Sequence, residues 1–377
     1  MKLILKRMSP GTDRLKFALP RIFPISEPKL ATLRIKNFIS TYLAWKYGLK
    51  LKSKPVILQI ETVRGCNLNC VMCGAGELKS KIMPFEQFKK IIQKFPESFV
   101  TILNFLGEPL LSKDIIRIIQ YSQKRSIVIL FSNLTILPSP EELINSGLFE
   151  INISIDSFDK RKYDFIRKSG DLKRIFRELG FDENRFDTIK HKQGTLTNTL
   201  EKVVENLKTL IQTRNKLRKK LPIISINSVF AKETKDDAED IIRKSIELGI
   251  DRVKFQKLAF DVPGMLHTPD FNDFQLIIKL KEKYKNQVEI IPVNFEYRSD
   301  LKGYCFYAHF MVLVDVFGNI FPCCMPPIFE NIQISRFGSI IQDNVIKLFE
   351  KRQSFIHNFR NNPPEFCKNC YLYTRTQ

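Results

Sequence analysis

The sequence predicts an α/β protein of repeated strand–helix units on a parallel sheet, with a basic extension before it and a small α+β segment after it. Two observations carry this. From Pro55 onward, apolar runs of strand length alternate with longer runs of helical period, the pattern of parallel βα units. Polar and glycine-containing residues collect just after the strands, where such units place their loops and their chemistry. The division this implies is 1–54 for the extension, 55–260 for the core and 261–377 for the C-terminal segment.

Residues 1–30 are basic, proline-punctuated and without clear period. Residues 31–45 read as an amphipathic helix with Ile35, Phe38, Ile39, Tyr42 and Leu43 on one face, Trp45 near its edge, and Arg34 and Lys36 to either side. Such a helix either packs on its own domain or makes a peripheral contact with an anionic membrane. Val56–Glu61 is the first strand. Helix Pro84–Phe95 follows, with proline at a tolerated first-turn position. Strand Phe99–Phe105, helix Lys113–Gln123, strand Ser126–Ser132, helix Pro140–Ser146 and strand Glu150–Asp156 continue the alternation. A charged insertion at 171–198 interrupts it. Long loops of this kind are disproportionately functional or disordered, and a lid or substrate-docking arm is the expectation here. Helix Thr199–Lys219, strand Ile223–Phe230, helix Lys235–Leu248 and strand Arg252–Leu258 complete six strands. The basic run Arg214–Lys220 reads as a solvated helix end.

At 377 residues and 44% apolar content the chain can bury a large core. It has no apolar run of about eighteen residues or more, and its first residues lack the apolar core of a signal peptide, so a cytoplasmic protein is expected. Eight cysteines in clustered C-x3-C and C-x2-C spacings favour metal over disulfides. The net charge of +21 suggests an anionic partner or a lysine-rich genome; no nucleic-acid motif accompanies it.

Cys66, Cys70 and Cys73 follow the first strand on a glycine-flanked loop. Soft thiolates suit iron–sulfur clusters, and three ligands to four irons leave one iron open to chemistry. The alternative is a zinc knuckle, for which three cysteines with no histidine in reach make a poor tetrahedral set. The C-x3-C-x2-C spacing resembles the signature of the radical S-adenosylmethionine (SAM) enzymes, with Met72 where that family usually has an aromatic residue. The resemblance implies a partial (β/α)6 TIM-like barrel and a [4Fe–4S] cluster on Cys66, Cys70 and Cys73 whose open iron chelates exchangeable SAM. It further implies SAM cleavage to a 5′-deoxyadenosyl radical, fed by a low-potential electron donor such as flavodoxin or ferredoxin. Gly107-Glu108-Pro109 resembles the family's GGEP element, with Leu106 for the first glycine, which implies that Gly107 and Glu108 meet the SAM amino group. Ser132-Asn133, at the end of the third strand, is a further candidate for the cofactor site. Ser154 and Asp156 look like the family's contacts to the SAM carboxylate and ribose. Arg167 is similar to the arginine that reaches the carboxylate, a forked, charge-assisted contact; a surface cation is its alternative. Asn227 is a ribose candidate or a satisfied interior asparagine.

A second cysteine group follows the core. Between Cys305 and Cys323, Met311–Val316 and the turn Val316-Phe-Gly-Asn319 predict a hairpin that brings the two cysteines together at its base. Helix Val345–Phe359 leads to Cys367-Lys-Asn-Cys370. Two thiolate pairs make one four-cysteine site, which zinc fits on chemistry alone. The spacing resembles the SPASM or shortened twitch extension of radical SAM enzymes, which implies a second, auxiliary [4Fe–4S] cluster on Cys305, Cys323, Cys367 and Cys370, with Cys324 a bystander. By that resemblance the substrate loses a hydrogen atom and is oxidised or cross-linked, the auxiliary cluster accepting the electron. A peptide or protein substrate is favoured; a sugar or cyclitol alcohol is the small-molecule alternative. A zinc-containing nucleic-acid-binding protein is the reading from another class. Tyr304, Tyr307 and Asp315 are further catalytic candidates with structural roles as their alternative.

Overall fold

Strands apolar on both faces must be covered on both, and the chain does so by winding a parallel sheet inside a layer of helices. The computed structural model describes residues 15–73, 75, 78–167, 199–258, 262, 265–293, 305–324, 336–359, 362–364, 367 and 370. The insertion at 171–198 and Tyr304 lie outside the described residues. Two helices, α1 (Leu15–Ile22) and α2 (Pro28–Tyr47), precede the first strand, β1 (Ile57–Ile60). A two-stranded ribbon of β2 (Val63–Arg64) and β3 (Lys81–Ile82) brackets the first cysteine loop. Then come α3 (Phe85–Gln93), β4 (Val100–Leu103), α4 (Ile115–Ser122), β5 (Ile127–Ser132), α5 (Pro140–Asn145), β6 (Glu150–Ser154) and α6 (Lys160–Ile166). Helix α7 (Thr199–Lys216), β7 (Ile223–Phe230), α8 (Ala238–Leu248), β8 (Arg252–Lys257), α9 (Phe271–Tyr284) and β9 (Glu289–Val293) continue the alternation. The chain closes with α10 (Phe306–Phe310), β10 (Met311–Val314), β11 (Asn319–Phe321), β12 (Gly338–Ser339) and α11 (Val345–Phe359).

All six predicted strands form, and two more parallel strands join them. The sheet order is β12-β11-β10-β1-β4-β5-β6-β7-β8-β9, parallel from β10 through β9. The predicted hairpin is β10–β11, and it is part of the barrel sheet because β10 pairs in parallel with β1, Ile57 opposite Met311. Outside the barrel, Leu58, Leu130, Ile151, Ile224 and Val253 meet the helices in a core of fully buried aliphatics.

Three features depart from the sequence reading. Helix α1 occupies the stretch that has no clear period. In α2 the buried stripe is Arg34, Asn37, Thr41, Ala44 and Trp45, whereas Ile35 and Ile39 are 44% and 50% exposed. The cause is what α2 packs on, the N-terminal ends of the strands, where loop carbonyls point outward. All five Arg34 N–H groups donate to carbonyls: those of Pro96, Ser98 and Arg125 in the loops before strands, and those of Arg21 and Ile22 at the end of α1, at 2.7–3.2 Å. Trp45 and Phe38 complete the seal on Phe99, Phe306 and Phe310, with ring centroids 5.7–6.3 Å apart. Third, Arg214 is not solvated: it is buried, donates to the Pro222 carbonyl and pairs with Asp251.

Candidate active site

The cysteine loop and the Gly-Glu-Pro loop are joined backbone to backbone at the C-terminal ends of β1 and β4. Gly65 N donates to Leu106 O at 2.9 Å and Glu108 N to Gly65 O at 3.2 Å. Gly107 sits so close to this loop that a Cβ there would lie 2.1 Å from the Val63 carbonyl oxygen, so only glycine fits. The far side of the loop is tied to the end of α6 by Val71 N donating to Ile166 O at 2.9 Å.

Glu108 is the hub. Its buried carboxylate accepts from Leu110 N at 3.0 Å, Ser132 Oγ at 2.8 Å and Asn133 N at 2.7 Å. Burial nevertheless outweighs these bonds and pushes its pKa up to about 7. Asn133 Nδ2 donates to Cys66 Sγ at 3.4 Å and to Asn67 Oδ1 at 2.9 Å. Arg167 is buried rather than a surface cation. Its Nε lies 2.7 Å from Asp156 Oδ2, and its Nη1 donates to Cys70 Sγ at 3.9 Å. Burial works against its charge, but Asp156 more than offsets this and raises its pKa above the usual value.

These groups line one cavity of about 400 Å3. Cys66, Cys70, Met72, Cys73, Gly107, Glu108, Ser132, Asn133, Ser154, Arg167 and Asn227 all face it. Asp156 does not: its Oδ1 accepts from Val229 N at 2.8 Å while Oδ2 faces Arg167, so it positions the arginine from outside the wall. Sequence reasoning missed Gln59, Lys254 and Gln256, which also face the cavity. Asn227 Nδ2 donates to Gln256 Oε1 at 3.0 Å, and Lys254 Nζ lies 2.6 Å from Glu150, which Arg252 shares. The trace that Lys254 and Gln256 leave in the sequence is the alternation Arg252-x-Lys254-x-Gln256 within a strand, which puts three polar side chains on one face without telling which way that face points.

The cavity runs through the barrel to Phe306, Tyr307, Met311 and Cys324. There the second cysteine group begins. Cys305, Cys323, Cys367 and Cys370 are all buried, and Cys323 and Cys370 pack with Trp45, Phe306 and Phe310. Cys367 feels Cys305 and Cys370; Cys324, a bystander by spacing, feels Cys370 and Cys305 and is pushed by burial up to about 12. Asp315 lies instead at the hairpin turn, beside Arg64.

Cys66, Cys70 and Cys73 form no disulfide. Burial pushes Cys66 well above the ordinary thiol value and Cys70 up to about 11, so only a cationic partner would hold them as thiolates. A soft donor set waiting for positive charge fits an iron–sulfur cluster.

Residues 60–245 match the family model described as the Radical SAM superfamily, and residues 305–371 match that of SPASM, an iron-sulfur cluster-binding domain. Together these imply [4Fe–4S] clusters and SAM, and they favour iron over zinc at the second group. Streptococcus suis SuiB superposes with a TM-score of 0.59 at 14% identity over 93% of this chain and 76% of that one. Native anSMEcpe with bound AdoMet gives 0.58 at 18% identity over 85% and 88%. GTP 3′,8-cyclase of Clostridium botulinum strain Hall is 29% identical over 144 residues, 36% of this chain and 44% of that protein. The probable GTP 3′,8-cyclase of Pyrococcus abyssi is 31% identical over 121 residues, 30% and 39%. The chain thus spans less than half the length of these curated relatives.

Proposed function

The chain belongs to the radical SAM superfamily and carries a SPASM domain, and from that premise we propose that this enzyme removes a hydrogen atom from a peptide and oxidises or cross-links it. The observation that supports this reading is a cavity that reaches from the Cys66–Cys70–Cys73 loop to Tyr307 and Cys324, with room for a substrate between the two cysteine groups. A bound [4Fe–4S] cluster with AdoMet supplies the 5′-deoxyadenosyl radical. Cys66, Cys70 and Cys73 would hold that cluster. Gly107 and Glu108 form the wall for the amino group of AdoMet, Ser132 and Asn133 keeping the Glu108 carboxylate in place. Arg167, oriented by Asp156, is the fork for the carboxylate. Ser154 and Asn227 would face the ribose, and Met72 lines the same cavity. Cys305, Cys323, Cys367 and Cys370 would hold an auxiliary [4Fe–4S] cluster, which would supply an acceptor for the electron left on the substrate, and a flavodoxin- or ferredoxin-like protein would be the electron donor to the first.

Two solved structures that share this fold support a peptide substrate: SuiB bound to its precursor peptide SuiA, and anSMEcpe with the Cp18Cys peptide. A nucleotide is the second reading. It is favoured by the relatives named as GTP 3′,8-cyclases. The test is anoxic reconstitution followed by reduction. About eight irons per chain and release of 5′-deoxyadenosine are expected. Deuterium placed on a candidate peptide should pass to 5′-deoxyadenosine, and GTP in its place should not support turnover. Stoichiometric zinc with neither iron nor 5′-deoxyadenosine would sink the enzyme reading; turnover of GTP alone would replace peptide by nucleotide.

A further inference from the structure

The outer face of α2 has no protein against it among the described residues. Ile35, Lys36, Ile39, Leu43 and Lys46 recur there at helical spacing. Ile35 and Ile39 are about half exposed, and Ile25, just before the helix, is 91% exposed. From residue 28 to residue 60 the chain has no aspartate or glutamate. Lys29, Lys36, Lys46, Lys50 and Lys52 are all exposed, and among the described residues none of the five pairs with a carboxylate. Aliphatic side chains pointing outward between unneutralised lysines are the composition of a helix that lies in a lipid interface. No described helix is long and apolar enough to cross a membrane, so the contact would be superficial.

We infer that this face of α2 docks the protein on an anionic lipid surface. The inner face explains why the helix is presented so rigidly: Arg34 and Trp45 clamp it to the barrel, leaving Ile35 and Ile39 nothing to bury against. An acidic protein partner would account for the lysines but not for the aliphatics. Docking here also suits the site, because α2 covers the N-terminal ends of the strands while the Cys66–Cys73 loop lies at their C-terminal ends. The Cys66–Cys73 loop then lies at the end of the barrel away from the lipid.

The test is co-sedimentation of the full chain with vesicles of phosphatidylglycerol in phosphatidylcholine, against phosphatidylcholine alone. Binding to the anionic vesicles only, released by high salt, is expected. The triple change Lys29→Glu, Lys36→Glu and Lys46→Glu should weaken it by about a hundredfold. Ile35→Ser with Ile39→Ser, which leaves the charge unchanged, should weaken it by about tenfold. All five positions are exposed, and circular dichroism checks that the fold is kept. Wild-type protein that stays in the supernatant would overturn the inference. So would isoleucine variants that bind like wild type, since the lysines would then serve some other acidic partner. Light scattering that finds a dimer broken by Ile35→Ser with Ile39→Ser, without vesicle binding, would assign the face to a second copy.

Discussion

The candidate site depends on side chains that admit few substitutes. At Gly107 any Cβ meets the Val63 carbonyl, so Gly107→Ala must push apart the two loops that carry Cys66 and Glu108. Gly107→Ala should fold with lowered stability and lose most AdoMet affinity; calorimetric titration at wild-type strength would refute this. His309 offers a separate, pH-dependent check. It is buried on α10, its Nδ1 is 2.9 Å from Cys305 O, and burial lowers its pKa to about 4. The unfolded chain takes up that proton near pH 6.5 and the folded chain only near 4. The stability His309 contributes is therefore present above about pH 6.5 and lost as pH falls toward 4, reaching about 3 kcal/mol. Urea unfolding of wild type and His309→Gln should diverge across that window, and parallel curves would show His309 already charged in the fold. Residues of this kind differ in how far sequence betrays them. Cys66, Cys70 and Cys73 are legible because their ligand geometry is written in consecutive spacing. Lys254 and Gln256 are not, since a polar residue in a strand reads alike whether it faces solvent or a barrel interior.

At the scale of elements, the strands were legible because doubly buried β runs are predominantly apolar, as in the first five residues of β5. Helix α2 was legible as a helix but not in its orientation. Apolar spacing puts Ile35 and Ile39 inward on the assumption that a core is apolar. The surface that receives α2 is a ring of carbonyl oxygens, and there the best inward residue is arginine. Arg34→Met would leave those carbonyls without their donors, so it should destabilise the protein by about 3 kcal/mol or more, and Arg34→Lys, with three donors and no planar fork, by less. Unfolding in urea measures the loss, and limited proteolysis within residues 15–54 should quicken with it. An unchanged midpoint for Arg34→Met would mean that the aromatic seal alone holds the helix.

Across the whole molecule, the C-terminal segment is continuous with the barrel. Strand β10 extends the sheet beside β1, and Glu61 at the end of β1 accepts from Val316 N at 2.9 Å while pairing with Arg64 at 2.8 Å. One frame therefore holds the first cysteine loop at the C-terminal ends of the strands and Cys323 and Cys370 at the opposite end, with the cavity between them. Spacing within the sequence could propose each cysteine group separately; their placement at the two ends of one cavity exists only in the folded sheet. Opposite ends mean separable losses. Replacing Cys367 and Cys370 by alanine should remove about four irons of about eight, leave reductive cleavage of AdoMet at the other end intact, and abolish conversion of substrate. Iron analysis, 5′-deoxyadenosine release and product mass spectrometry, run on one preparation, read the three effects apart. If the double variant still converts substrate, the second group has no part in electron transfer; if it also stops cleaving AdoMet, the two ends are coupled through the sheet rather than through the substrate.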